Sequence, residues 1–524
     1  MTLYQWFVFF LFIQVIHFLG TWKLYVAAGK KSWEAAIPVY NAIVLMKIIG
    51  RPTWWTVLLF IPVINLILFP VIWVETLRSF GKKSTLDTFL GIATFGLYII
   101  YVNYTQKLEY VKDRSLSPEN KTADTVSSLL FAIIVATLVH TYLIQPYTIP
   151  SSSLEKSLLV GDFLFVSKVN YGPRVPMTVV ALPMVHDSIP VAKVKSYLSF
   201  PQLPYFRFPG FEKIKNNDIV VFNWPRDTLF NMYIKADKRY DKPTDKKTNY
   251  VKRCVGISGD SLQIKNGIVF INGKELILPE RAKPQYSYKL VLDGKTPIDF
   301  DYLFKDMNVT DGINYVSKQK DTIGITALTF ANAERFKNVP GIKAVIRDIR
   351  KGPEDGIFPD FQDGKVSVTN DWSCDNFGPI YIPQAGKTVA LDKNSLPFYK
   401  IIITEYEGNK LKVDGDAIYI NDQKVTSYTF KQNYYWMMGD NRHNSLDARY
   451  FGYTPEDHVV GKPIFIWMSW DTYGKGLNKV RWERLFTTVG GDGQPQSYFK
   501  LFLLALVAFF VGEYFWKKRK EKKN

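Results

Sequence analysis

Cysteine is almost missing: Cys254 and Cys374 are the only two in 524 residues. Two thiols cannot make a disulfide framework, nor a metal site by themselves. A pair of buried thiols and a single bridge both stay open. Histidine is nearly as scarce, with His17, His140, His186, His443 and His458 making five. His17 and His140 fall in apolar stretches, so chemistry that needs an imidazole base has few candidates. There is no Gly-x-Ser-x-Gly elbow. No zinc-finger spacing or RNA-binding signature is present. The formal charge of +18 therefore reads as attraction to anionic lipid, not to nucleic acid. Aromatic residues at 15% and charged residues at 22% also exclude a disordered chain.

Long apolar runs are abundant. Residues 126–144 are about long enough to cross a bilayer. Residues 3–20 are apolar and uncharged, with no basic flank before them and no small-residue cleavage site after them. They read as a retained span. Residues 54–74 form a second run, broken by Pro62 and Pro70, and residues 86–102 a third, with Asp87 near its start. Residues 35–49 carry Lys47 and read as interfacial or re-entrant. Residues 498–516 form the last run and abut a basic tail from Lys517 to Lys523. Lysine and arginine mark cytoplasmic loops. With residues 106–125 inside, the 126–145 helix runs outward and the 498–516 helix returns. The basic loop at 78–83 fits this count poorly.

Residues 146–497 alternate short β-branched and aromatic runs with Gly, Asn and Asp turns, and no long amphipathic helix interrupts them. The expected fold is membrane-anchored and mostly β. It has a multi-span helical N-terminus (1–105), an antiparallel β domain in two parts (146–278 and 410–497), an inserted subdomain or cap (279–409) and a C-terminal transmembrane helix (498–516). The tail 517–524 is expected in the cytoplasm. Residues 262–273 and 411–422 resemble each other as hairpins, which duplication or shared turn chemistry explains equally. The stretch 279–400 reads as polar, turn-rich and strand-poor.

Three serines, Ser151, Ser152 and Ser153, follow the 126–144 run and its Pro-rich exit. Lys252 stands in Tyr250-Val251-Lys252-Arg253-Cys254-Val255, on the face shared by Tyr250 and Cys254. A desolvated lysine loses its charge more readily, and a neutral amine can take a serine proton. The bland alternative is a solvated lysine on a strand face. His443, close to Asp440 and Asp447, offers a serine–histidine triad as a competing reading. Asp440, Arg442, Asp447 and Arg449 lie within ten residues and have the make-up of a loop locked by charge-assisted hydrogen bonds. No second carboxylate or histidine cluster supports a metal there.

Four patches, taken in order, resemble the boxes of bacterial type I signal peptidases. They are Pro150-Ser151-Ser152-Ser153-Leu154 with Gly161-Asp162, Asn217-Asp218-Ile219-Val220-Val221-Phe222, Tyr250-Val251-Lys252-Arg253 with Gly259-Asp260, and Gly439-Asp440-Asn441-Arg442 with Asn444-Ser445, Asp447 and Arg449. The resemblance covers roughly residues 126–275 and 410–490. It implies a membrane serine protease that removes signal peptides from exported precursors on the outer side of the cytoplasmic membrane. It also implies Ser153 as nucleophile, Lys252 as general base and Ser151 with the Ser153 N–H as the oxyanion hole. Ser445 would orient the lysine, and Asp440, Arg442, Asp447 and Arg449 would hold the site together. Precursor proteins and lipid are the implied partners, with no nucleic acid, metal or cofactor. Leu154 stands where the family has Met, and Lys156-Ser157 where it has Pro-Thr. His443 takes the place of a loop acid. A catalytically silent scaffold and a different serine hydrolase are the competing functions.

Overall fold

An unbroken apolar run favours one long helix, whereas prolines and positive-φ turns split it. Both outcomes occur in the computed structural model. It describes residues 1–117, 121–189, 192, 194–230, 238–317, 321–359, 371–471, 474 and 476–521. The chain divides into two units: Met1–Leu143 with Pro173–Phe208 and Thr228–Lys247, and the remainder.

In the first unit the Leu3–Ala27 helix is unbroken, capped by Thr2, which accepts from the Gln5 N–H. Among the described residues three helices are long and apolar enough to cross a membrane: Leu3–Ala27, Lys121–Leu143 and Phe499–Glu521. The last carries Lys517 to Lys520, while Lys522 and Lys523 lie outside the described residues. The expected spans at 54–74 and 86–102 are not single helices. The first divides into Trp55–Leu58 and Ile64–Ser79, at Pro62 and at Val63, whose φ is 69°. The second becomes a hairpin of Thr85–Ala93 and Tyr98–Thr105. Asp87 sits in the first turn there and shares a capping box with Ser84. The hairpin turns at Gly96, whose φ is 81° and whose added Cβ would lie 2.6 Å from Trp73 Nε1, so only glycine fits.

Because residues 85–105 fold back, loop 78–83 and segment 106–114 meet: Lys82 Nζ donates to Gln106 Oε1 at 3.2 Å and the Val111 N–H to Ser79 O at 2.9 Å. Glu75 accepts there from Arg51 Nη2 at 3.1 Å and from Arg114. Lys23 lies over the Tyr104 ring at 4.6 Å. At the opposite end of the first helix, the Met1 amine and Trp6 Nε1 both donate to Gln202 O.

In the second unit, most of the alternating runs form one sheet whose strand neighbours are all antiparallel, while Ile268–Ile271 and Ala417–Ile420 belong to two smaller sheets. Its order is Ile144–Thr148, Asp162–Ser167, Val459–Ser469, Ile219–Asn223, Asn249–Gly256, Tyr434–Met438, Thr454–Pro455, with Thr487–Thr488 also on Val459–Ser469. Ile144–Thr148 is an edge strand and continues directly from the helical Lys121–Leu143 segment. The helix thus starts inside the expected loop 106–125, and its Pro-rich exit is strand. At Gly461 an added Cβ would lie 2.3 Å from Ser167 O, so glycine permits the close strand approach.

The inserted stretch is not strand-poor. It holds an antiparallel sheet ordered Ile342–Arg347, Gln285–Leu292, Thr322–Thr329, Ile313–Tyr315, with helices Phe300–Asp306 and Phe330–Lys337. Tyr286, Leu290, Ile323, Ile325 and Phe336 are among its own buried core. Residues 318–320 and 360–370 of this stretch lie outside the described residues. Both hairpin-like repeats are hairpins, in different sheets. Phe336→Ala should cost this core about 3–5 kcal/mol. Limited proteolysis should then gain cuts between residues 285 and 347 well below the unfolding temperature of the wild type.

Candidate active site

The edge strand leaves the sheet at Ile149-Pro150 and enters a short 3-10 turn, Ser152–Leu154. Ile149 N–H donates to Asp162 O at 2.9 Å and Gly161 N–H returns to Ile149 O at 3.0 Å, closing the loop behind the turn. Leu154 and Leu158 pack into the core with Ile149, Leu164 and Val221. Leu154 therefore anchors the turn from below. Lys156 has φ 71°, a conformation closed to proline, so this turn differs from a Pro-containing one in its backbone path and not merely in its stiffness.

Lys252 reaches the same place from the Asn249–Gly256 strand, where it stands opposite Val220. It is 4% exposed, and its Nζ donates to Ser153 Oγ at 2.6 Å. Burial pushes the Lys252 pKa down to about 8, against the pull of Asp447 and Asp440. The Tyr250 ring lies 5.3 Å from Nζ.

Both nearby carboxylates are already committed. Asp440 accepts from Arg253 through both oxygens, at 2.8 and 2.6 Å, and from Ser157 Oγ at 2.6 Å. Burial alone would raise its pKa, but the Arg253 guanidinium outweighs burial and keeps the carboxyl below its usual range. Asp447 accepts from Arg449 Nε and Nη2 at 2.9 and 2.8 Å and from the Gly439 N–H at 3.0 Å. Arg449 likewise overcomes burial there and lowers the Asp447 pKa. Arg442 is buried and donates to Met438 Sδ at 3.5 Å, so the bidentate partner of Asp440 is Arg253 and not its loop neighbour.

Ser151 is exposed, in extended backbone at the start of the Ser152–Leu154 turn. Ser445 Oγ is buried and makes no hydrogen bond among the described residues, so the contact to Lys252 is not made in this structure. It lies against Gly439, where an added Cβ would come 2.2 Å from Ser445 Oγ and 2.6 Å from Ser153 O. His443 is engaged elsewhere: its Nδ1 accepts from the Ser287 N–H at 3.0 Å and its Nε2 donates to Asp375 Oδ2 at 2.9 Å. Cys374 completes a cluster with these two, all ligand atoms within 4.8 Å. Both imidazole nitrogens are spent, and burial pushes the Cys374 thiol up to about 12, so the donors form a hydrogen-bonded cluster poorly suited to a cation. Both cysteines are free and buried.

Sequence reasoning left Arg253, Ser157 and Gly439 without a role. Arg253 follows the lysine in an otherwise apolar strand, a costly place for an unpaired cation, and that was the available signal.

An antiparallel β domain bordered by long apolar helices, with a serine hydroxyl on a buried lysine amine, has the make-up of a membrane-associated serine peptidase. Residues 122–323 and 428–470 match the family described as signal peptidase, peptidase S26, and residues 33–113 match a family of unknown function, DUF5684. The signal peptidase I of Buchnera aphidicola subsp. Acyrthosiphon pisum is 24% identical over 403 residues, covering 75% of this chain and 93% of that protein. That of Helicobacter pylori strain 26695 is 23% identical over 379 residues, covering 70% and 92%. The signal peptidase I P of Bacillus subtilis subsp. natto is 25% identical over 239 residues, covering 43% and 98%. These matches support a type I signal peptidase of family S26, a family that implies a serine endopeptidase.

Gly439→Ala should lower the rate of peptide cleavage by about 100-fold or more, because misplacement of the reacting groups by an ångström costs that much. The check is steady-state cleavage beside a thermal unfolding curve.

Proposed function

We propose that this protein removes signal peptides from exported precursors, with Ser153 as nucleophile and Lys252 as general base. The single observation that carries the reading is the 2.6 Å contact between Ser153 Oγ and the buried Lys252 Nζ. In the neutral form Lys252 accepts the Ser153 proton as Oγ bonds to the scissile carbonyl carbon. The tetrahedral oxyanion is held by the Ser153 N–H and the Ser151 hydroxyl. Lys252 then passes its proton to the leaving amine, the C–N bond breaks, and the signal peptide stays as an ester on Ser153. Water, deprotonated by the same amine, cleaves that ester. Ser445 turns towards the amine when substrate fills the site. Ile144–Thr148, the edge strand of this sheet among the described residues, suits an extended substrate backbone laid alongside. Small pockets beside Ser153 and Lys252 then select small residues at the first and third positions before the cut.

The catalytic unit works on the extracytoplasmic side of a bacterial cytoplasmic membrane. The gathering of Arg51, Arg78, Lys82 and Arg114 at one end of the helical unit supports this, since basic loops stay inside. On this reading the 3–27 helix crosses once and residues 40–105 enter and return as helical hairpins. The Lys121–Leu143 helix crosses outward, and Phe499–Glu521 crosses back.

In lipid, Ser153→Ala and Lys252→Ala should each lower kcat for precursor cleavage by about 10⁴-fold or more. His443→Ala should stay within about tenfold, because its partners are Asp375 and Ser287. Wild type that binds precursor without cutting it would replace this reading with a silent scaffold. For orientation, a membrane-impermeant thiol reagent should label D416C in intact cells. It should label K83C only after permeabilisation, and the reverse order would overturn the topology.

A further inference from the structure

The loop between the Phe300–Asp306 helix and the Ile313–Tyr315 strand belongs to the inserted subdomain, yet it touches both arms of the active site. Lys156, three residues after Ser153, donates its ammonium to Asn308 O, and Thr310 Oγ1 lies 3.5 Å from it. Asp311 Oδ2 accepts from Asn441 Nδ2 at 2.5 Å and from Asn444 Nδ2 at 3.1 Å. Each amide spends its second contact on the nucleophile turn: Asn441 Nδ2 donates to Ser152 O at 3.2 Å, and Asn444 Nδ2 to Ser152 Oγ at 3.0 Å. The Asn441 N–H also donates to Ser153 O at 3.1 Å. One carboxylate thus orients two amides, and both amides hold the residue before the nucleophile.

The loop is tied firmly to its own subdomain. Val309 N–H donates to Phe304 O and Asn332 Nδ2 to Met307 O, each at 2.7 Å. Gly312 O accepts from both the N–H and the Oγ1 of Thr326, at 2.9 and 2.7 Å. An added Cβ on Gly312 would lie 1.9 Å from Thr326 Oγ1, so the loop is seated against the sheet at the residue next to Asp311. A carboxylate presented from an anchored loop is a fixed acceptor, and charge-assisted bonds to it are stronger than neutral ones.

We infer that Asp311 is a positioning residue for the nucleophile, acting through Asn441 and Asn444, and that the inserted subdomain is part of the catalytic apparatus. The inference rests on Ser153 being the nucleophile. It assigns no direct contact between Asp311 and substrate, so its removal changes the chemical step more than binding.

The test uses the full chain in lipid, with a signal-peptide precursor as substrate and D311A, D311N and S153A measured beside wild type. D311A should lose about 10- to 100-fold in kcat with KM within about twofold of wild type, the size expected for bonds to a charged group. D311N keeps an acceptor oxygen and should recover part of the loss, which a merely structural residue would not require. D311N also carries the test should D311A fail to fold. Activity of both variants within about twofold of wild type, or a change confined to KM, overturns the inference. Should S153A cut as fast as wild type, the nucleophile assignment itself has failed, and the inference falls with it.

Discussion

A lysine amine buried against a serine hydroxyl, with no carboxylate bonded to it among the described residues, is the constraint on which the catalytic unit depends. An acid in direct contact with Lys252 would hold the ammonium charged and spoil it as a base. Asp440 and Asp447 are the two acids whose charge reaches it. Arg253 occupies both oxygens of Asp440, and Arg449 both oxygens of Asp447. The arginines therefore do more than lock a loop. They take up the negative charge that the lysine would otherwise use, and burial is left to decide its state. Such buried bidentate pairs are weak sources of stability, which fits a role in setting the electrostatics of the site.

Geometry follows from the same loops. The Asp447 carboxylate accepts the Gly439 N–H, and Gly439 without a side chain lets Ser445 and Ser153 O approach the same point. Asp440 is also bonded to Ser157, four residues beyond Ser153, so the loop that shields the lysine also holds the serine turn. From the other side the turn is pinned by Leu154 and Leu158 in the core. The inserted subdomain joins this arrangement through the Gln285 N–H, which donates to Asp440 O, and Gln285 O, which accepts the Arg442 N–H.

Much of the β unit was legible because its strands announce themselves. Tyr434–Met438 and Ile219–Asn223 are unbroken apolar runs between turn residues, and a fully buried strand reads that way. Gln285–Leu292 was missed because its buried Tyr286, Tyr288 and Leu290 alternate with Ser287, Lys289 and Val291 in a polar neighbourhood. The helices around it span two turns, too short to show a period. In the helical unit the breaks were hidden for another reason. Val39 and Val63 adopt positive φ, which a β-branched residue rarely does, and no local pattern foretells it. The Ser153 and Lys252 candidates were readable from their neighbourhoods. Their meeting across 99 residues is a product of sheet order. The choice of Arg253 over Arg442 by Asp440 also depends on which strand lies beside the loop, and spacing alone does not name that partner.

The most direct test of a lysine base is the pH dependence of kcat/KM, measured in lipid with a precursor peptide that has no titrating group near the cut. A lysine base is active when neutral, so on the proposed mechanism the rate should rise with pH through a limb centred near 8, to which burial lowers the Lys252 pKa. A limb near about 6.5 would point to an imidazole, and one above about 10 to a solvated lysine. Either result would contradict the account.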